Sequence, residues 1–380
     1  MGLRAPSIAF ATIVVAACSD ASPPLIADPR YGDSGTDVLF GFDQAAPSCN
    51  AGPNLGVCAC TELSFLSDAP NLYFVLDRSG SMSTDNKWTT VRLVVSQVMK
   101  SLGPRANFGV AIFPSPTSND TCAAGGQVMN VRQGDAPAGT QGPTTSTMIS
   151  VTSVAPLGGT PTAATLDALV PTLQSLSGRT FVILATDGGP NCDATAVCTS
   201  EACIENIEGV QGCPPNGTPN CCDPSINSYG PLDCLDRQPT IDAVSAIAKA
   251  GIPTYVVGVP GSGPYAALLD ELAKAGGTAR ASEPLYYRVD STDQSALQSA
   301  LAQIAAKITA TCTLTLSQPP PDPTHVNVYF DNQAVPADPV NGWTLSGSTV
   351  TLVGSACDEV MSGTVLNVRV VAGCPTVQPN

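Results

Sequence analysis

The chain has 380 residues, 43% of them hydrophobic, enough for one large core and a smaller module. Its formal charge is −15, with 16 Lys and Arg against 31 Asp and Glu. That balance excludes the basic patch that nucleic-acid phosphates require and fits solubility outside the cell.

Residues 1–17 read as a secretory signal, with Arg4 ahead of an apolar stretch from Ser7 to Ala17 that is too short to cross a bilayer. Val15-Ala16-Ala17-Cys18 resembles the lipobox of bacterial lipoproteins, with Val where Leu is commoner. The resemblance implies that Cys18 is lipidated and becomes the first residue of an envelope-anchored protein. Ser19 after it suits outer-membrane sorting. Ordinary cleavage, leaving Cys18 as a thiol, is the alternative. Residues 18–48, rich in Pro, Ala, Gly and Asp, read as a flexible tether. No other stretch qualifies as a membrane span.

Cysteine parity bears on the same question. Of 15 cysteines, setting Cys18 aside leaves an even number that can all pair after export. They form four groups: Cys49, Cys58 and Cys60; Cys122; Cys192, Cys198, Cys203, Cys213, Cys221, Cys222 and Cys234; and Cys312, Cys357 and Cys374. Each group is odd, so full oxidation sends at least one bond out of each. The simplest solution joins the first group to the last and Cys122 to the seven-cysteine segment.

An α/β domain is expected over 49–310. Leu72–Leu76 and Phe181–Ala185 are unbroken apolar runs, as in parallel strands covered on both faces. Lys87–Leu102 has Val91, Val94, Val95 and Val98 at helical spacing and stops at Gly103-Pro104. Asn107–Phe113 and Thr254–Val259 read as further strands. Thr162–Leu176, Ile241–Ala250, Pro264–Ala275 and Asp293–Thr309 read as helices. Such alternation predicts a doubly wound, mainly parallel sheet with helices on both faces.

Both central runs lead into aspartates, Asp77 directly and Asp187 after Thr186. Carboxyl ends of parallel strands are where such sheets gather ligands. Asp77-Arg78-Ser79-Gly80-Ser81, the distant Thr160 and Asp187 together offer carboxylate and hydroxyl oxygens. That set suits hard cations, Mg²⁺ first and Mn²⁺ or Ca²⁺ as alternatives, while zinc or copper would favour His or thiolate. The one histidine, His325, lies far downstream. Each residue also has a plainer use: Thr160 before Pro161 as a helix cap, Ser79 and Ser81 as turn residues, Asp187 as an Asx turn before Gly188-Gly189.

In order and spacing these residues resemble the von Willebrand factor type A domain and its metal-ion-dependent adhesion site, D-x-S-x-S with a distant Thr and a distant Asp. The resemblance implies direct coordination by Ser79, Ser81 and Thr160. Asp77 and Asp187 would bind directly or through water, and one open position would take an acidic group of a protein or glycan partner.

Residues 190–238, directly after Asp187, read as a disulfide-held insertion, because their Gly, Pro and Asn content cannot build a core. Lack of His and of paired C-x-x-C spacing argues against a zinc module. Removing the insertion is expected to leave cation binding and alter partner choice. Residues 311–380 read as a small all-β module, with strands at Thr313–Leu316, Val326–Phe330, Thr349–Val353 and Val365–Val371 separated by turns such as Asp331-Asn332.

Adhesion or ligand recognition is therefore the expected function. A structural protein whose cation only braces the loops is the second reading. A hydrolase with Asp77 as nucleophile is the third, opposed by Ser79 where a second acid would stand, by the lack of Lys in the motif loops, and by the lack of a histidine base or a G-x-S-x-G elbow.

Overall fold

A computed structural model of the protein describes residues 69–378, apart from 211, 216, 292, 332, 363–364 and 366–367, together with the strand backbones at 61–63 and 65–66. The expectations for the signal segment, Cys18, the tether, Cys49, Cys58 and Cys60 lie outside the described residues. Among the described residues no helix is long and apolar enough to cross a membrane.

In chain order the elements are β1 (Thr61–Leu63), β2 (Phe65–Leu66), β3 (Asn71–Asp77), α1 (Lys87–Leu102), β4 (Asn107–Phe113), β5 (Gly126–Gln133), α2 (Pro143–Val151), α3 (Thr162–Gln174), β6 (Thr180–Thr186), α4 (Ile204–Glu208), α5 (Arg237–Lys249), β7 (Thr254–Gly258), α6 (Ala266–Ala275), β8 (Tyr287–Arg288) and α7 (Gln294–Thr309). There follow β9 (Thr313–Leu316), β10 (Val326–Phe330), β11 (Gln333–Val335), β12 (Trp343–Ser346), β13 (Thr349–Leu352), α8 (Ser355–Ser362) and β14 (Val368–Ala372).

The main sheet runs β5-β4-β3-β6-β7-β8, parallel except where β5 pairs antiparallel with β4. Counted within the domain this is the doubly wound order 3-2-1-4-5-6, whose direction reverses between β3 and β6. All seven residues of β3 are buried, and their alternation feeds two cores. Leu72, Phe74 and Leu76 face Val91, Val95 and Met99 of α1 and Leu301, Ile304 and Ile308 of α7. Tyr73 and Val75 face Leu166, Leu169 and Leu173 of α3, Val244 and Ile247 of α5, and Leu268, Leu269 and Leu272 of α6. A strand covered on both faces has no polar side, so its sequence is an unbroken apolar run.

Residues 313–372 supply most of two antiparallel sheets, ordered β1-β14-β10-β11 and β12-β13-β9-β2, which share one core around Val328, Trp343, Val350 and Val370. The expected boundary at 49 needs correction here. β1 pairs with β14 and β2 with β9, so Thr61–Leu66 belong to the β module and the α/β domain is inserted into it. The module is not purely β either, since α8 packs Ala356 and Val360 into its core. Cys312–Cys357 ties the start of β9 to α8. Cys374 is also disulfide-bonded, while an expected bond from Cys49, Cys58 or Cys60 lies outside the described residues.

Candidate metal centre

Because β3 and β6 are parallel neighbours in register, Asp77 and Asp187 leave the sheet side by side at the point where the winding reverses. The loop after β3 is then pinned from several directions. Arg78 N donates to Phe113 O at 2.7 Å, and its guanidinium donates to the carbonyls of Pro114, Ser115 and Ala155. One buried side chain thereby joins the ends of β3 and β4 to the segment that leads to Thr160. Gly80 N donates to Gly158 O at 2.8 Å, a second tie to that segment.

The polar atoms converge in a chain. Ser79 N donates to Asp77 Oδ1 at 2.7 Å, and Thr186 Oγ1 donates to Asp77 Oδ2 at 2.6 Å. Ser79 Oγ lies 3.0 Å from Ser81 Oγ, which donates to Asp187 Oδ1 at 2.8 Å. A Cβ placed on Gly188 would stand 3.8 Å from Ser81 Oγ and 3.9 Å from Thr160 Oγ1, so both hydroxyls border Gly188. Asp77, Ser79, Ser81 and Asp187 are thus joined by hydrogen bonds, and the Thr160 hydroxyl borders the same glycine as Ser81. Asp77, Ser79, Thr160 and Asp187 are buried and Ser81 is exposed, so the group opens to solvent at Ser81.

Of the plainer uses, Ser79 and Ser81 do stand at and within a short helical turn, Gly80–Asn86, while the helix-cap use of Thr160 fails. α3 begins at Thr162 with Pro161 at its cap position and no side-chain cap bond, so Thr160 is not the cap. Asp187 accepts from Ser81 on one oxygen and from Lys87 on the other.

Burial, and then the charge of Asp187, push the Asp77 carboxyl up to about 7, against the hydrogen bonds from Thr186 and Ser79 that favour its charged form. Two adjacent carboxylates beside three hydroxyls, with one acid pushed this far up, form a site short of positive charge. A divalent cation would supply it, and the all-oxygen donor set fits Mg²⁺, Mn²⁺ or Ca²⁺.

Sequence reasoning missed two residues here. Lys87, the first residue of α1 and outside the motif loops, forms a buried ion pair with Asp187 Oδ2. It stands ten residues after Asp77, and nothing in its spacing points at a residue one hundred positions on. Asn191 accepts from Thr160 N on Oδ1 at 2.6 Å, and its own N donates to Thr160 O at 3.0 Å. It is the second residue of the insertion. Next to it, Cys192 bonds Cys122 in the β4–β5 connection, the link expected from parity. That cystine lies on Gly159, where a Cβ would come within 2.5 Å of Cys192 Sγ.

The insertion is therefore not separable from the site, because its first residues hold Thr160. Its own interior is built of cystines: Cys198–Cys234, Cys203–Cys222 and Cys213–Cys221. Buried Asn206 completes it, donating to the carbonyls of Pro214 and Pro219 and accepting from Cys221 N. Cysteine and carboxylate sulfur and oxygen atoms gather at Cys198, Cys222 and Cys234 and at Glu205, Cys213 and Cys221, but each of these sulfurs is in a disulfide.

No family model matches the sequence, and no curated protein matches it. Solved structures do match. The pilus adhesin SpaC from Lactobacillus rhamnosus GG is 16% identical with a TM-score of 0.46, over 83% of this chain and 40% of that one. The vWF domain of the type V pili tip protein Mfa5 from Porphyromonas gingivalis is 14% identical with a TM-score of 0.40, over 65% of this chain and 97% of that one. A von Willebrand factor type A protein from Catenulispora acidiphila is 14% identical with a TM-score of 0.40, over 86% of this chain and 63% of that one. This chain spans less than half the length of the SpaC structure.

Proposed function

We propose that the chain is an exported binding protein of von Willebrand factor type A kind, anchored to the cell envelope through lipidated Cys18. Asp77, Ser79, Ser81, Thr160 and Asp187 hold a divalent cation, Mg²⁺ foremost. The cation supplies an electrophilic position for an acidic group of a protein or glycan partner. The observation that carries this reading is the clustering of two buried carboxylates and three hydroxyls, of which Ser81 is the exposed one. The three hydroxyls add donor oxygens without adding negative charge, so a bound divalent cation faces only the two carboxylates.

A cation that merely braces the loops is less well supported. Arg78 already ties those loops together through its guanidinium bonds to three carbonyls. The test is a pull-down from envelope material with and without EDTA, repeated with Asp77→Ala. Partners lost on both treatments support recognition through the cation; partners retained throughout refute it. Mass spectrometry of the exported protein checks the anchor, expecting a diacyl or triacyl adduct at Cys18.

A further inference from the structure

Lys87 is placed where a lysine is poorly accommodated. It opens α1, and the positive end of the helix dipole disfavours a cation there. It is buried, and an unpaired buried ammonium is costly. The two residues before it, Asp85 and Asn86, both take the left-handed conformation, at φ 50° and 56°. The ammonium nonetheless has a fitted position. Gly261, at φ +108°, passes so close that a Cβ there would stand 3.2 Å from Lys87 Nζ and 3.3 Å from Asp187 O. One contact offsets these costs, the ion pair with Asp187 Oδ2.

That contact divides the carboxylate of Asp187. Oδ1 faces the hydroxyl of Ser81 and Oδ2 faces the lysine. We propose that Lys87 is a built-in counter-ion of the metal centre, occupying one oxygen of Asp187 and weakening the site's hold on a divalent cation. The inference rests on reading the five residues as a cation site. In formal charge, two carboxylates and one ammonium leave −1, so a loaded centre carries +1 where it would otherwise be neutral. The lysine thus trades cation affinity for attraction of an acidic partner group.

The test uses Mn²⁺ alone, titrated by calorimetry into the full chain and into Lys87→Gln. Loss of the charge is expected to tighten Mn²⁺ binding by about tenfold or more and to enlarge the rise in melting temperature that Mn²⁺ gives. Equal or weaker binding by Lys87→Gln, with wild type binding, overturns the counter-ion role and leaves the metal centre standing. No binding by either protein overturns both. Should Lys87→Gln not fold alone, Mn²⁺ is expected to restore its fold by taking over the charge of Asp187; if Mn²⁺ fails to do so, the proposal fails.

Discussion

The sheet and the cysteine-rich insertion both hold residues of the candidate metal centre, and they do so by different physics. β3 and β6 fix Asp77 and Thr186 at the ends of strands that are almost wholly buried, between helices that supply two apolar cores. Among the described residues between Asp187 and α5 there is no such core. The segment's buried apolar residues are cysteines, and it leaves Val197, Ile226 and Tyr229 facing solvent. A segment of this size and composition cannot offset its ordering entropy by burial alone, so cross-links that restrict the unfolded chain take that role. One candidate site thus draws on an element held by solvent exclusion and another held by covalent bonds. The two should therefore be breakable separately.

The largest expected effect falls on the sheet. Phe74→Ala opens a cavity between β3 and α1 and is expected to lower stability by about 3–5 kcal/mol in a denaturant titration, because the surrounding layers cannot close over it. Next is the insertion. Replacing Cys203 and Cys222 by Ala is expected to remove about 3 kcal/mol from that region. Limited proteolysis should then cut within the insertion before the sheet unfolds; simultaneous loss of both would break the distinction.

Asn191→Ala probes the junction. It leaves the buried Thr160 N–H without its partner, expected to cost about 1–3 kcal/mol, and to weaken Mn²⁺ binding by about 10–100-fold, as loss of an outer-shell partner does. Unchanged Mn²⁺ affinity would return the insertion to a detachable rim. The smallest effect is that of pH. Asp77 is raised in the folded protein, so its protonated form favours the metal-free fold; that contribution is full below the ordinary carboxylate range and is lost as pH rises through about 7. Proton and cation compete for the same oxygens. Mn²⁺ affinity is therefore expected to fall by up to about tenfold per pH unit below that value, and a flat profile would remove Asp77 from the ligand set.

Much of the sheet could be read in the chain because its signal is local. Leu72–Leu76 and Phe181–Ala185 are runs no other element tolerates, and the valines of α1 sit at helical spacing, so the helix falls on Lys87–Leu102 as expected. β5 and α2 escaped notice for the opposite reason. Among the large apolar side chains of β5 only Met129 is fully buried, and α2 is a Thr- and Ser-rich helix whose one large buried residue is Met148. Edge elements with little to bury carry little pattern. Helix α8 and strands β11 and β12 were likewise too short or too mixed to register.

The sequence by itself placed Asp77 and Asp187 after apolar strand runs, because that signal is local; Ser79, Ser81 and Thr160 joined them only through the resemblance to a known metal-site motif. It also required a bond from Cys122 or its like into the insertion, since odd groups cannot close on themselves. Tertiary structure alone decided that Lys87 meets Asp187, that Asn191 grips Thr160, and that Thr61–Leu63 and Phe65–Leu66 pair into a β module whose other strands follow the inserted domain. The reason is the same in each case: these are pairings across tens to hundreds of residues, fixed by which backbones the folded sheet brings within a hydrogen bond of one another, and no short-range pattern encodes them.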